Sequence, residues 1–347
     1  MSFFSKQIIN KGGMNMKKII GVMLAVFLLS AGASFAEEKP KIIITTGGIG
    51  GVYYYYGTTI AEILTKHAGV DATAIQTAAS VDNLLLIQRR TDPGKNTYYM
   101  GTVLPDSAYL AYTGKHQRFK DKPAKELRTL WTMYPNYMHL VTASGSGIKT
   151  VADLKGKRVS TAAPGSGTEV EAFLILEAAG VKPSDFAKQE RLGASESAEA
   201  LSQGTIDAYF WSGGLPTSSV VELSTTLARK GKKLEFVDMD PKGALVKELL
   251  KRFAGVMEAG AIPKSVYNTE KDVNTLVFWN LFMGPESLPE KYSYAITKAL
   301  FENVGQLHTS VKAAKDTNLG NAGKSYGGVI PYDPGALKYY KEKGAIK

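Results

Sequence analysis

Along the chain, short runs rich in β-branched residues alternate with segments whose apolar positions recur at helical spacing. Lys41-Ile42-Ile43-Ile44-Thr45, Ala72 to Gln76 and Thr97 to Val103 read as strands. Helices are expected from about Val52 to Lys66 and from Ser80 to Arg90, where Val81, Leu84, Leu85 and Gln88 fall at helical spacing and Ser80 is placed as an N-cap. Leu127 to Tyr134 and His139 to Ala143 read as extended, with Pro135-Asn136 between them marking a hinge crossing. A second series follows. Thr150 to Val159 gives a short helix, a glycine turn and a strand, and Val170 to Ala179 a helix closed by Gly180. Further units fall at Ser195 to Ser202, Ile206 to Trp211, Pro216 to Arg229 and Leu234 to Val237. The apolar strand Thr275 to Met283 and helices around Tyr294 to Val304 and Leu337 to Lys343 complete the series. This alternation predicts an α/β protein with parallel strands covered by helices on both faces.

The start of the chain follows a different pattern. Lys17-Lys18 precedes the apolar run Ile19 to Leu29 and the small residues Ser30 to Ala36, the order of a secretory signal peptide with its cut after Ala36. Met16 is the better start, and residues 1–36 are expected to be absent from a mature, periplasmic protein that does not span the membrane. Removing 36 of 347 residues leaves 311, enough for two lobes with well-buried cores. The expected division is 37–138 for the first part of lobe 1, 139–239 for lobe 2, and 240–347 for the return to lobe 1 with the C-terminal helices.

Charge and composition narrow the function classes. The formal charge is +10, and the excluded segment holds Lys6, Lys11, Lys17 and Lys18 without an acid, so +10 minus 4 leaves +6. The basic residues are scattered among acids, as in Lys247-Glu248, with no dense stripe for nucleic acid. There are no cysteines, which excludes a disulfide framework, a thiolate metal site and a cysteine nucleophile. His67, His116, His139 and His308 lie far apart without ligand spacing, and neither a Gly-x-Ser-x-Gly elbow nor a His-Glu-x-x-His motif occurs. The pattern points to binding without catalysis, and no metal or cofactor is expected.

Three turns carry candidate binding chemistry. Gly47-Gly48-Ile49-Gly50-Gly51 lies between a strand and a helix, where bared N–H groups and the helix dipole favour an anion; the alternative is a tight turn that needs positive φ. Tyr53 to Tyr56 follow it, and at least one of these tyrosines can line a cleft. A dinucleotide site is disfavoured because Gln76 stands where the ribose-binding acid belongs, and Gly323-Lys324-Ser325 lacks the upstream glycine of a phosphate loop. Pro164-Gly165-Ser166-Gly167-Thr168-Glu169 offers two hydroxyls at the start of a helix, either as a simple cap or as a second anion contact. Trp211-Ser212-Gly213-Gly214-Leu215-Pro216-Thr217 places small polar groups where a strand end meets a helix.

Taken in order, several segments resemble the TAXI family, the extracytoplasmic solute receptors of TRAP-type transporters. They are Thr46 to Tyr54, Ala79 to Leu84, Tyr134-Pro135 before His139, Val151 to Val159, Ala163 to Val170, Gly204 to Phe210, and Ile330 to Ala336 followed by Tyr339-Tyr340. The resemblance runs from about Lys41 to the C-terminus. It implies a two-lobed periplasmic-binding-protein type II fold with a ligand cleft between the lobes. The implied ligand is a small organic anion, an amino acid such as glutamate or glutamine, a dicarboxylate or a 2-oxoacid, delivered to TRAP-type permease subunits. By the same resemblance the contacts are Gly48, Gly51 and Tyr53 in the first turn, Ser80, Asn83 and Tyr134 beyond it, Ser166, Gly167 and Thr168 in the second turn, and Gly213, Gly214 and Thr217 in the third. The chain departs from the family at Arg89 to Asn96, which is lengthened, at Val103-Leu104-Pro105-Asp106, and at the bulky Trp211-Ser212; these changes are expected to border the cleft. A sensing or scaffold protein without a permease, and a cryptic hydrolase, are the alternatives.

Overall fold

Ile42 and Ile44 are fully buried in β1 (Lys41–Thr45), as the β-branched run requires of a parallel strand covered on both faces. In a computed structural model describing residues 38–324 and 329–346, β1 pairs in parallel with β2 (Asp71–Ile75) and β3 (Thr97–Val103). Three helices follow these strands in turn: α1 (Val52–His67), α2 (Ser80–Arg90) and α3 (Pro105–Tyr112). β4 (Leu127–Ala143) leads to β5 (Arg158–Ser160), α4 (Gly167–Ala178), β6 (Lys188–Glu190), α5 (Ala194–Gln203), β7 (Ala208–Gly213) and α6 (Ser218–Arg229). Then come β8 (Leu234–Phe236), α7 (Ala244–Arg252), β9 (Glu258–Ile262), β10 (Val273–Pro285), α8 (Glu290–Glu302), α9 (Val304–Ser310) and α10 (Pro334–Glu342). The leader reading lies outside the described residues. No helix among them is long and apolar enough to cross a membrane.

The strands run β2-β1-β3-β10-β4-β7-β5-β6, with β8 beside β4 and β9 beside β10. The fold is α/β and two-lobed. One lobe's core gathers Ile42, Tyr56, Ile60, Trp131 and Leu300, continued by Val81, Leu84 and Ala108. The other gathers Leu140, Val159, Ile175, Phe210 and Leu249, continued by Tyr209, Val220 and Leu223. β4 and β10 serve both. Leu130 and Trp131 of β4 pack in the first core and Met138 and Leu140 in the second, while β10 places Leu276 and Phe278 in the second and Phe282 in the first. α7 packs Val246 and Leu249 in the second core.

The two extended runs expected on either side of the crossing at Pro135-Asn136 are one strand: β4 continues through it from one core to the other. Proline has no N–H to give, and it is accommodated opposite Trp279 beside a register shift between Trp279 and Leu281. Ser80 does not cap α2 as expected; Ala79 holds the N-cap position with φ 91, and the Ser80 hydroxyl accepts from the Leu104 N–H at 3.0 Å. α3, which holds Asp106, was not foreseen.

Candidate functional site

Parallel strands end together, and at those ends the two lobes enclose a cavity of ≈ 330 Å³. The turn after β1 supplies Gly48, Gly51 and Tyr53; the segment after β2 supplies Gln76, Thr77 and Ser80. The crossing strand β4 contributes Tyr134 and Asn136. From the second lobe come Ser166, Gly167 and Thr168 after β5, Ser195 and Glu196 after β6, and Trp211, Ser212 and Gly213 from β7.

Each turn has a local reason for its shape. Gly50 has φ +88, a conformation that glycine adopts without strain, and a Cβ there would lie 2.2 Å from the Ser195 Oγ of the other lobe. Gly51 caps α1 in extended conformation with no side-chain acceptor, so the first-turn N–H groups remain for a ligand or solvent. α4 is different: Ser166 is its N-cap and accepts from the Glu169 N–H at 3.0 Å. The Thr168 hydroxyl accepts from the Ser212 N–H at 3.2 Å, which ties the second turn to the third.

Behind the cavity runs a chain of buried polar groups. The Tyr53 hydroxyl donates to Asn280 Oδ1, and Asn280 Nδ2 donates to the Tyr134 carbonyl at 2.7 Å and to Asn136 Oδ1 at 2.8 Å. Burial pushes the Tyr53 hydroxyl well above its ordinary pKa, aided by Glu171, so it stays protonated and able to donate. Trp211 is fixed by its Nε1–H, which donates to Thr217 Oγ1 at 3.0 Å.

The lobes meet on both sides of this cavity. On one side the Ser195 hydroxyl donates to the Ile49 carbonyl at 3.2 Å and the Ser218 hydroxyl to the Gly50 carbonyl at 2.9 Å. On the other, the Val81 and Asp82 N–H groups donate to the Gly165 carbonyl at 3.1 and 3.2 Å, beside an ion pair within the first lobe between Arg118 and Asp82 at 2.9 Å. The free N–H groups of α2 are thus capped from the opposite lobe. The two lobes are in direct contact on both sides of the cavity.

Of the residues named from sequence, Gly48, Gly51, Tyr53, Ser80, Tyr134, Ser166, Gly167, Thr168 and Gly213 line the cavity. Asn83, Gly214 and Thr217 do not. Asn83 is buried behind it, donating to the carbonyls of Thr46 and Thr102 at 2.7 and 2.8 Å, and it braces the ends of β1 and β3. A Cβ on Gly214 would lie 2.7 Å from the Tyr134 ring, so its lack of a side chain makes room for that ring. Thr217 positions Trp211 and caps α6. Sequence reasoning missed Gln76, Thr77, Asn136, Ser195 and Glu196 as lining residues; the ends of β2 and β6 were the available signal. Of the three departures noted above, Leu104 and Trp211-Ser212 border the cavity, whereas 89–96 does not.

A family model spans residues 44–344. The chain belongs to the NMT1-like family. For this NMT1-like protein, similar solved structures include the binding-protein component of an ABC phosphonate transporter from Pseudomonas aeruginosa, at 11% identity, covering 80% of this chain and 81% of that one, with a TM-score of 0.52. A structure described as a periplasmic transporter matches at 12% identity, covering 90% and 95%, with a TM-score of 0.50. These likenesses establish that the NMT1-like chain has the two-lobed fold of periplasmic binding proteins.

Proposed function

We propose that the protein is a periplasmic solute receptor that closes on a small organic anion and delivers it to a TRAP-type permease, as a TAXI receptor does, without chemistry of its own. The observation that carries this reading is the closed cavity at the strand ends, with the uncapped start of α1 and a ring of hydroxyls around it. Glu196 is the one charged residue lining it among the described residues. An anion there is held by neutral donors, each worth about 0.5–1.5 kcal/mol net. The Glu196 carboxylate is an acceptor for an ammonium, which favours an amino acid over a dicarboxylate within the class. In this reading the leader 1–36 is cut on export. Lobe 1 begins at 37 and lobe 2 near 139. The return to lobe 1 is better placed within β10 than at 240, because Val246 and Leu249 pack in the second core and Phe282 in the first.

The test is a thermal-shift screen of protein unfolded and refolded to strip carried-over ligand, against amino acids, dicarboxylates, 2-oxoacids, phosphonates and nucleotides. The expected result is a saturable rise in Tm with one acid class, largest for an amino acid. No rise with any small anion, or a rise with nucleotides alone, refutes the proposal.

A further inference from the structure

Behind the cavity wall, buried oxygen atoms without a hydrogen-bond partner among the described residues gather where the lobes join. They are both carboxyl oxygens of Asp106, both of Glu171, and the hydroxyls of Ser107, Ser212 and Tyr134. Asp106 lies on α3, whose Ala108 and Ala111 pack in the first lobe; Glu171 lies on α4, whose Ala172 and Ile175 pack in the second. Both carboxyls are fully shielded from solvent. Next to them, Gly167 comes so close to the first lobe that a Cβ would stand 2.5 Å from the Ser80 Oγ and 2.6 Å from Leu104 Cδ1. Two negative charges in such a place cost several kcal/mol of lost hydration each and repel one another.

We propose that Asp106 and Glu171 form a proton-held latch between the lobes, so that closure takes up a proton from solvent onto a carboxylate oxygen and a rise in pH opens it. Burial raises the pKa of both groups, with Asp106 adding to the effect on Glu171. The Asp106 and Ser107 N–H groups, and for Glu171 the Ser212 hydroxyl, lie nearby but outside hydrogen-bonding geometry and counter this only in part. Other titratable groups on the packed elements are the Tyr53 hydroxyl, which stays protonated, Tyr109 and Tyr112 of α3, Tyr209 of β7, raised by burial, and His116 just beyond α3, which burial holds below the ordinary imidazole value. The charged ones are paired or turned outward. Arg118 pairs with Asp82, Arg191 with Glu169 and Arg252 with Glu177, while Arg89 and Arg90 of α2 and Lys247, Glu248 and Lys251 of α7 are exposed. The linkage has one sign: a carboxyl whose pKa is raised on closing stabilises the closed form at low pH, and that contribution is lost as pH rises above the ordinary carboxylate range through the raised value.

The latch depends on the lobes opening, as the receptor reading requires, but its test needs no ligand, so a failed ligand screen leaves it intact. Tm and the small-angle scattering radius of ligand-free wild type, Asp106→Asn and Glu171→Gln are compared from about pH 5 to about pH 8.5 in chelator. Each variant keeps one buried carboxyl, so wild type has one more proton at stake and should lose about 2–4 °C of Tm per pH unit relative to either variant, and its radius should grow with pH more steeply than theirs. If one variant fails to fold, the other carries the comparison. Parallel curves for wild type and variant overturn the proposal. So does a wild-type Tm raised by Na⁺ or Ca²⁺ and unmoved in the variant, which would make the pair a cation site.

Discussion

Asn280 ties Tyr53, Tyr134 and Asn136 into one bonded chain at the register shift where β10 meets β4. Truncating it leaves the buried Tyr53 hydroxyl without its acceptor and the Tyr134 carbonyl without that donor. Asn280→Ala should cost about 1–3 kcal/mol for each group stranded, read as a lower urea midpoint. His139 sets an acid limit. Burial lowers its pKa to about 4, with ring nitrogens 2.7 Å from the Tyr137 carbonyl and 3.2 Å from the Tyr267 hydroxyl. The folded state favours neutral imidazole, so stability should fall by up to about 1.4 kcal/mol per pH unit as pH drops from about 6.5 towards 4. Denaturant titrations across that range should show a shallower fall in His139→Gln. At the cavity, if the Glu196 carboxylate holds an ammonium, Glu196→Gln should weaken an amino-acid ligand such as L-glutamate at least about tenfold by calorimetry and strengthen any dicarboxylate by relieving like-charge repulsion.

Among the elements, α2 and α4 differ in how their first turns are satisfied. Ser166 caps α4 from within, and Ser166→Ala should cost about 1 kcal/mol in the ligand-free protein, read as a lower urea midpoint. α2 has no side-chain cap and takes its acceptor, the Gly165 carbonyl, from the opposite lobe. That contact exists only while the lobes are shut, so the helix contributes to closure as well as to the core. Gly167 offers a cleaner probe. At the first position of α4, alanine suits the helix, yet its methyl would press on Ser80 and Leu104 across the junction. Gly167→Ala should hold the unfolding free energy from urea titration within about 0.5 kcal/mol while weakening, at least about tenfold, whichever acid raises Tm in the ligand screen, a separation that a merely structural role would not give.

For the whole molecule, the crossing strands β4 and β10 are the elements that join two otherwise separate cores, so the proposed lobe closure would pivot there. Ligand should reduce the scattering radius of the refolded protein, and with no lysine or arginine among the described residues lining the cavity its affinity should change little between low and moderate salt. The alternation of β-branched runs with helical spacing determined the α/β class, and the bounds of α2 could be read to the residue, because local periodicity reports burial on one face or two. The glycine turns were equally legible, since positive φ and uncapped helix starts are properties of a few adjacent residues. What the local pattern left undecided was everything that depends on the partner strand or lobe. β4 runs through Pro135 because Trp279 lies opposite a missing donor. The Ser80 hydroxyl is taken by the Leu104 N–H while Gly165 from the other lobe caps α2, and Asn83 turns inward to carbonyls far away in sequence. The short α3, with its buried Asp106, gave no periodic signal, and its meaning comes from Glu171 on the far lobe. Periodicity is set by neighbours along the chain, whereas hydrogen-bond partners and buried charge are set by neighbours in space, and only the tertiary structure brings those together.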